Sequence, residues 1–391
     1  MRVLHTADWH FGRTLEGRSR LAEQEAFVDE LAHLAKDQRI DLVLLAGDVY
    51  DSVNPPAAAE QLFYDALARL ADNGSRPVAV IAGNHDHPDR LAAAAPLAQK
   101  LGVRLAGLPE DRIERIQIER TGELACLFSL PYPSESRLKE LLSDDAQEEM
   151  LRAAYSDRVK YIASQQAKHF RPDTVNLLMS HIYVLGGAES ESERPIQVGG
   201  AYTVDTAALD VGAQYVALGH LHRPQNIKAP SLMRYSGSPL AYSFSEAGQA
   251  KSVTVFDVEP GGLPSMEELY LSSGRPLVRW KAAQGLSEVH GWLAEGRDAQ
   301  AWIDLEIHMT EAMSMEQIHA LRKAHEGIVN IRPIYPEMEA AAASAVSIRS
   351  MPMDELFRRY YARQTGGAEP EEELVRLFLE LLEVPQAEEA Q

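Results

Sequence analysis

Five short apolar segments of this sequence each end in a side chain that can bind a metal ion. These side chains are carboxylates, one amide and imidazoles, and in chain order they are Asp8, His10, Asp48, Asn84, His85, Asp86, His181, His220 and His222. If each segment is a strand of an α/β sheet, the groups converge, because ligands bind at the carboxyl ends of such strands. Gly47, Gly83 and Gly219 precede three of these motifs, and glycine lets the backbone turn sharply without a side-chain clash.

Together these groups predict a site for two divalent metal ions. Carboxylate, amide and imidazole ligands without a thiolate suit Mn²⁺, Fe²⁺ or Zn²⁺ better than Mg²⁺ or Ca²⁺. Two ions about 3.5–4 Å apart can clamp a phosphate, activate a water and stabilise the leaving oxygen. Each motif alone has a simpler explanation, such as a solvated loop for Asp8 and His10 or a core imidazole for His181. The ordered set favours the metal site.

The segments between the motifs predict an α/β layered architecture. Apolar runs predict strands over 2–7, 41–47 and 77–83, and amphipathic spacing predicts helices over 20–38 and 57–74. The next segment predicts a hairpin over 114–132 that turns at Thr121–Gly122, followed by a helical stretch around 135–170. Strands are then predicted over 175–180 and 214–219, with further strands to about residue 260. This part, 1–272, is predicted to be one domain.

A change of pattern after residue 272 predicts a smaller α/β domain over 275–336. Its predicted strands and helices alternate over 276–282, 286–295, 301–309, 314–325 and 328–335. An Ala-rich stretch over 337–350 is interpreted as a linker. The remainder, 351–391, predicts two helices.

The apolar faces of the two predicted tail helices have no assigned partner in the sequence. The first face carries Leu356, Phe357, Tyr360 and Tyr361, and the second carries Leu374, Leu377, Phe378, Leu381 and Leu382. Two interpretations stay open. The helices either fold back on the body of the protein or bind a partner protein.

Composition restricts the class of protein. The 391 residues are 45% hydrophobic and carry a net charge of −20, whereas a duplex DNA binder that works alone through its overall charge is expected to be basic. Cys126 is the only cysteine, which excludes an intrachain disulfide and a thiolate metal site. The sequence has neither an apolar run long enough for a membrane span nor a secretory signal pattern, so we expect a cytoplasmic protein without membrane contact.

The ordered motifs DWH, GD, GNHD, H and GHLH resemble those of the calcineurin-like metallophosphoesterase superfamily. The flanking stretches HTADWHFGR, LAGDVYD and SLPY are similar to those of one branch, the nuclease subunits of bacterial complexes that repair DNA double-strand breaks. The resemblance implies a layered sandwich of two β-sheets flanked by helices, a small α/β capping domain and a C-terminal helical tail. The motifs up to residue 222 carry the resemblance, and the small domain and tail match by arrangement only.

The same resemblance implies a role for each motif residue. Asp48 bridges two ions, one of which is held by Asp8, His10 and His222 and the other by Asn84, His181 and His220, and Mn²⁺ is the expected metal. His85 contacts the scissile phosphate and protonates the leaving 3′ oxygen, although it could instead bind metal beside Asn84.

Further residues near the motifs have two interpretations each. Asp51 and Asp86 are candidates for orienting His85 or a ligand imidazole, or they are exposed loop acids. The candidates for holding the DNA backbone are Arg13, Arg18, Arg20 and Arg223, and the alternative is a solvated basic loop. His5 is expected within the first strand, in the core or behind the ligands.

The resemblance implies a Mn²⁺-dependent DNA nuclease: a 3′→5′ exonuclease on duplex ends that also cuts single strands and opens hairpins. It also implies that the protein acts in complex with an SMC-like ATPase of the SbcC type, which binds residues 351–391. It further implies a homodimer that forms through the catalytic domain, and association with the nucleoid when the protein acts. A phosphatase or small phosphodiesterase is the alternative, but GDVYDSVNPP lacks the Arg-Gly pair of phosphoprotein phosphatases. A scaffold with a vestigial site is disfavoured because every ligand type is present.

Overall fold

The structure is a computed structural model that describes part of the chain. The described residues are 1–110, 112–134, 137, 155–193, 202–335, 354, 357–358, 361, 370 and 372–383. The chain divides into two compact units, of which the first comprises Met1–Arg279, Asp298–Asp304 and His325–Asn330 and the second Trp280–Arg297, Leu305–Ala324 and Ile331–Gln391. The domain boundaries expected from the sequence stay a prediction.

Two six-stranded sheets form the first unit. The first sheet has four adjacent parallel strands and two antiparallel strands along one side. In spatial order its strands are β16 (Ser265–Tyr270), β15 (Ser252–Asp257), β1 (Arg2–Thr6), β4 (Leu42–Ala46), β5 (Val78–Ile81) and β6 (Val103–Ala106). The three strands predicted before residue 84 are confirmed as β1, β4 and β5, whereas β6 and β16 escaped prediction.

The second sheet also has a parallel centre with an antiparallel strand at each edge. In spatial order its strands are β13 (Gln225–Ile227), β14 (Leu232–Tyr235), β12 (Tyr215–Gly219), β9 (Val175–His181), β8 (Leu124–Leu130) and β7 (Ile113–Gln117). The predicted hairpin is confirmed as β7 and β8, and Gly122 in its turn has a φ of +74°.

Helices and short strands complete the first unit. The helices are α1 (Leu21–Asp37), α2 (Ala57–Ala71), α3 (Pro88–Ala92), α4 (Ala95–Ala98), α5 (Tyr155–Ala167) and α6 (Thr206–Leu209). The short strand pairs are β2 (Thr14–Leu15) with β3 (Arg18–Ser19), and β10 (Tyr183–Val184) with β11 (Thr203–Val204). The helix predicted around 135–170 is confirmed over α5, and 135–154 lies outside the described residues apart from Arg137.

Alternation along the buried strands produces the layers. In β4, Leu42 and Leu44 face the second sheet, while Val43 and Leu45 face the helices that cover the first sheet. Because both faces of β4 are buried, its sequence is a continuous apolar run rather than an alternating one. Helix α5 packs on the outer face of the second sheet in the same way. The predicted sandwich of two sheets flanked by helices is confirmed.

The strands and helices predicted after residue 272 are confirmed. They are the three-stranded sheet of β17 (Leu277–Ala282), β18 (Trp302–His308) and β19 (Ile328–Ile334), with α7 (Leu286–Ala294) and α8 (Met315–Ala324). The predicted linker 337–350 lies outside the described residues. None of the described helices is long and apolar enough to cross a membrane.

The second tail helix is confirmed as α9 (Glu372–Glu383). Of the first tail helix only Asp354, Phe357, Arg358 and Tyr361 are described, each with helical backbone. Within the second unit, the Phe357 ring stacks on Phe378 with centroids 4.2 Å apart. Leu377 on α9 is 51% exposed, so part of the apolar face of α9 is uncovered within the described residues.

Candidate metal centre

The strand ends of both sheets bring the predicted motif residues together. β1, β4 and β5 are parallel neighbours, and the loops that follow them carry Asp8, His10, Asp48, Asn84 and His85. β9 and β12 are parallel neighbours in the other sheet, and they supply His181, His220 and His222. A buried cluster of polar side chains therefore joins the carboxyl edges of the two sheets.

Asp48 lies at the centre of this cluster. Its Oδ2 atom is 3.6 Å from His10 Nε2 and 3.5 Å from His181 Nε2, and it is 3.9 Å from His85 Nε2. Its other oxygen, Oδ1, accepts the backbone N–H of His85 at 2.9 Å. One carboxylate oxygen is thus held by the backbone while the other faces ring nitrogens from both sheets.

Hydrogen bonds on the outer ring nitrogens set the direction of two imidazoles. His181 Nδ1 lies 2.9 Å from the Ala46 carbonyl oxygen, and His85 Nδ1 lies 2.7 Å from the Asp51 carbonyl oxygen. Because a carbonyl only accepts, each Nδ1 donates and the Nε2 atom points into the cluster. His181 Nε2 there lies 2.9 Å from Asn84 Oδ1.

Asp8, His10 and His222 form a second group beside Asp48. The Nε2 atoms of His10 and His222 are 3.1 Å apart, and one ligand atom from each of the three residues lies within 4.8 Å of the others. The Asp8 carboxylate accepts the backbone N–H of His220, at 2.9 Å to Oδ1. The His220 ring packs edge-on against His181, with centroids 5.4 Å apart.

Burial governs the charge of these groups. It lowers the pKa of His10 to about 3 and also lowers the pKa of His181 and His220, which favours the neutral ring with a lone pair to offer. Burial and the neighbouring Asp48 carboxylate raise the pKa of Asp8. Burial opposes ionisation of Asp48 as well, but the imidazoles around it, His181 first, hold the pKa of Asp48 below its usual value.

The donor set fits divalent cations. Two buried carboxylates lie beside neutral imidazoles, and no described lysine or arginine forms an ion pair with Asp8 or Asp48. Positive charge at the centre of the cluster would compensate the carboxylates and use the inward lone pairs.

The backbone at several of these residues is strained. Asp8, His10, Asp48 and His220 have φ values of 56°, 46°, 49° and 108°, in the left-handed region that side chains rarely adopt. Gly47 has a φ of +90°, so the backbone turns at this glycine as predicted. At Gly83 the reason for glycine is different, because a Cβ there would lie 2.0 Å from Asp48 Oδ1.

The two candidate orienting acids occupy different positions. Asp51 Oδ1 lies 3.5 Å from His10 Nδ1, and the Asp51 carbonyl accepts from His85. Asp86 instead accepts three backbone N–H groups, those of Gly83, Val49 and Tyr50, at 2.8–3.1 Å. The Asp86 carboxylate therefore holds the loops that carry the motifs rather than an imidazole.

The four candidate DNA-contacting arginines differ in their exposure to solvent. Arg18 and Arg223 are exposed, and Arg13 is partly buried with its guanidinium 3.0 Å from the Ser192 carbonyl oxygen. Arg20 is 1% exposed, because its guanidinium pairs with Glu23 and donates to the Ala241 carbonyl. The expectation that Arg20 holds DNA is wrong for this fold, since its charge is already used inside the protein.

Sequence reasoning missed the residues that surround His222. Ser192 Oγ lies 2.8 Å from His222 Nδ1, and Glu193 accepts the His222 backbone N–H. Lys251, ion-paired with buried Glu246, donates to the His222 carbonyl at 3.0 Å. These partners come from loops distant in the sequence and carry no motif of their own, so no local signal could have indicated them.

The chain is similar to known protein families and proteins. The family described as calcineurin-like phosphoesterase matches residues 1–224, and the family described as the type 5 capsule protein repressor C-terminal domain matches 273–365. A protein from Bacillus subtilis that is named as the SbcD subunit of the nuclease SbcCD is 54% identical over 391 residues, all of both chains. A protein of the same name from Rhodobacter capsulatus is 36% identical over 282 residues, 68% of each chain.

One solved structure, GAP50, the anchor in the inner membrane complex of Plasmodium, is 13% identical, with a TM-score of 0.39 over 70% of this chain and 84% of that one. A score that low adds nothing to the assignment. The two facing sheets and the carboxylate–imidazole cluster define a metallophosphoesterase, a hydrolase class that binds divalent metal. The chain belongs to the calcineurin-like phosphoesterase family, in its SbcD branch.

Proposed function

We propose that this protein is a DNA nuclease that hydrolyses phosphodiesters with two divalent metal ions, Mn²⁺ by preference. The observation that carries the proposal is the position of Asp48 Oδ2 between His10 Nε2 and His181 Nε2, 3.6 and 3.5 Å away, which puts one carboxylate beside candidate ligands from both sheets. The activities proposed are 3′→5′ exonuclease on duplex ends, single-strand endonuclease and hairpin opening. Full-length similarity to a relative that is named as part of a nuclease supports this substrate class.

The residues around Asp48 would hold the ions in two sets. Asp8, His10 and His222 form the first set, and the second set is Asn84, His181 and His220. Bound divalent ions supply positive charge against the phosphodiester and lower the pKa of an attacking water. The chain keeps the two sets in place through backbone hydrogen bonds to Asp8 and Asp48, which fix both carboxylates before any substrate arrives.

His85 is the proposed general acid. Its Nδ1–H donates to the Asp51 carbonyl, so the protonated ring presents Nε2–H toward the cluster, 3.9 Å from Asp48 Oδ2. From there it can contact the scissile phosphate and give its proton to the leaving 3′ oxygen, a contribution of about 10²–10⁴-fold to rate. Asp51 contacts both rings, with its Oδ1 3.5 Å from His10 Nδ1 and its carbonyl accepting from His85 Nδ1, and Asp86 holds the backbone of the loops that follow β4 and β5.

Exposed basic residues are the proposed DNA contacts. Arg18 and Arg223 are exposed, Arg223 directly follows His222 in the chain, and Arg13 lies 3.5 Å from Asp51 Oδ1. Such side chains hold phosphates without reading sequence, so cleavage is expected to depend on DNA ends and shape. The positive charge of these arginines and of bound metal ions would attract DNA locally, although the protein has a net charge of −20.

The tail is the proposed binding segment for a partner. We propose that 351–391 binds an SMC-like ATPase of the SbcC type through apolar helix faces, and exposed Leu374 and Leu377 on α9 support this proposal. A homodimer through the catalytic domain, a capping role for 275–336 and action in the cytoplasm on the nucleoid stay predictions.

The test is degradation of end-labelled duplex DNA in Mn²⁺ by the wild type and by His85→Ala. His87→Ala is the matched control, since His87 lies two residues away and is exposed. We expect a loss of about 10²–10⁴-fold for His85→Ala, with both ions still bound, and wild-type cleavage for His87→Ala. A nitrophenyl phosphodiester and a phosphomonoester are assayed in parallel. Hydrolysis of only these small esters, even with the ATPase partner added, would identify a phosphatase or small phosphodiesterase and reject the DNA substrate.

A further inference from the structure

A row of hydroxyl groups links the outer nitrogen of His222 to a carboxylate that is not among the proposed ligands. His222 Nδ1 lies 2.8 Å from Ser192 Oγ, and Ser192 Oγ lies 2.6 Å from Ser190 Oγ. Ser190 Oγ in turn lies 2.7 Å from Glu193 Oε2. The other carboxylate oxygen, Glu193 Oε1, accepts the backbone N–H of His222 at 2.8 Å. Glu193 is therefore connected to His222 in two ways, directly at the backbone N–H and, through the hydroxyls of Ser190 and Ser192, at the ring.

The far end of this row fixes the direction of its hydrogen bonds. The Glu193 carboxylate is an acceptor, and its Oε2 also accepts the backbone N–H of Ser190 at 2.6 Å. A serine hydroxyl has one proton, so Ser190 donates to Glu193 and can only accept from Ser192. Ser192 then donates to Ser190 and can only accept from His222. The proton of the neutral His222 ring must lie on Nδ1.

This proton position leaves the inner nitrogen of His222 free to bind metal. His222 Nε2 carries a lone pair and lies 3.1 Å from His10 Nε2, inside the Asp8, His10 and His222 group. The opposite tautomer would turn an N–H toward the cluster and block coordination. Ser192 is 5% exposed and Arg13 donates to its carbonyl, so its hydroxyl is held in place. Glu246 Oε1, 3.5 Å from His222 Nδ1, favours the same tautomer.

We propose that Glu193, Ser190 and Ser192 are positioning residues that keep His222 in the metal-binding tautomer and so control the affinity of one of the two ions. The inference rests on the proposed function in taking His222 as a ligand. Partners on the outer nitrogen of a metal-binding imidazole commonly contribute about 10–100-fold to metal affinity. The other proposed set is independent of the row, because the Ala46 carbonyl accepts from His181 Nδ1.

The test is Mn²⁺ binding by the full-length chain, measured by equilibrium dialysis, with thermal unfolding of the metal-free protein measured in parallel. For Ser192→Ala we expect one of two sites to weaken by about 10–100-fold and the other to keep its affinity. Ser192→Thr keeps the hydroxyl and should restore binding. Glu193→Gln should weaken the same site, because both carboxylate oxygens accept, from Ser190 and from the His222 backbone, and an amide can accept at only one of these two positions. Glu191→Gln is the matched control, since Glu191 is exposed in the same loop.

Several results would overturn the inference. Unchanged affinity at both sites in Ser192→Ala would do so while leaving the proposed nuclease intact. Equal weakening of both sites with a lower melting temperature, or the same loss in Glu191→Gln, would reveal a general structural effect instead. A wild type that binds fewer than two ions would reject both the ligand sets and this inference. Selective weakening in a protein that cuts no DNA would support the inference and reject the proposed function.

Discussion

His10 Nε2 and His222 Nε2 face each other at 3.1 Å, although one residue follows a strand of the first sheet and the other follows a strand of the second. If both Nε2 atoms carry lone pairs, as metal binding requires, these lone pairs repel each other beside the Asp8 and Asp48 carboxylates. A cation held by both residues would remove this repulsion. The stability of the sandwich should depend on metal.

Metal removal should lower the free energy of unfolding. At 100 times its Kd, an ion bound only by the folded chain contributes about 2.7 kcal/mol. We expect Mn²⁺ to raise the melting temperature, and a chelator to reverse the rise, in thermal unfolding followed by circular dichroism. His10→Gln should lose most of this response, because it removes one inward lone pair. Identical melting with and without Mn²⁺ would contradict the prediction.

A methyl group at Gly83 should disrupt the site. In Gly83→Ala the new Cβ would lie 2.3 Å from the Asp48 backbone nitrogen, which cannot move independently of the β4 end. We expect a loss of at least about 1–3 kcal/mol in unfolding free energy, measured by urea denaturation, and loss of Mn²⁺ binding. Gly291→Ala is the control, because a Cβ there meets no atom within 4 Å and Gly291 lies in α7. Equal behaviour of the two variants would reject the close-approach explanation.

The arginines should separate into stabilising and DNA-contacting residues. Arg20→Ala breaks a buried ion pair with Glu23 and should cost about 3–5 kcal/mol of unfolding free energy. The DNA affinity of the folded Arg20→Ala protein, measured by fluorescence anisotropy, should be unchanged. Arg18→Ala and Arg223→Ala should do the reverse, keeping stability and lowering the salt dependence of DNA binding by about one unit each. Weaker DNA binding by folded Arg20→Ala would return Arg20 to the DNA contacts.

His5 should make stability sensitive to acid. Burial, together with the Arg234 guanidinium, lowers the pKa of His5 to about 3, below its ordinary value of 6.5. Between these values the unfolded chain binds more protons than the folded chain, so unfolding free energy falls as pH falls, by about 1.4 kcal/mol per unit at most. The difference in unfolding free energy between the wild type and His5→Gln should therefore decrease below pH 6. Urea denaturation at pH 6 and pH 5 in chelator checks this, and parallel pH profiles would contradict it.

The sequence predicted those parts of the fold and site that local patterns determine. The run Leu42–Ala46 is apolar on both faces because both faces of the strand are buried in the protein. The polar residues directly after it could be predicted to lie in a site, because ligands bind at the edge where parallel strands end. Strand β6 escaped prediction because Arg104 interrupts its apolar residues, whereas β5, also four residues long, is apolar throughout.

Contacts between distant segments explain the remaining differences. The burial of Arg20 depends on the Ala241 carbonyl, more than 200 residues away in the chain, as well as on nearby Glu23. Ser192 meets His222 across 30 residues of sequence. The role of Gly83 is likewise set by Asp48 in another loop. No periodicity or spacing within one segment encodes such pairs.

The left-handed backbone at Asp8, His10, Asp48 and His220 has a consequence for selection. Each such conformation disfavours the folded state by about 1 kcal/mol or more, and glycine would relieve it. Mutants chosen only for heat resistance without metal should therefore accumulate changes at the proposed metal-binding positions. Selection for stability alone is expected to remove the proposed site, so a directed-evolution campaign must screen for catalysis at every round.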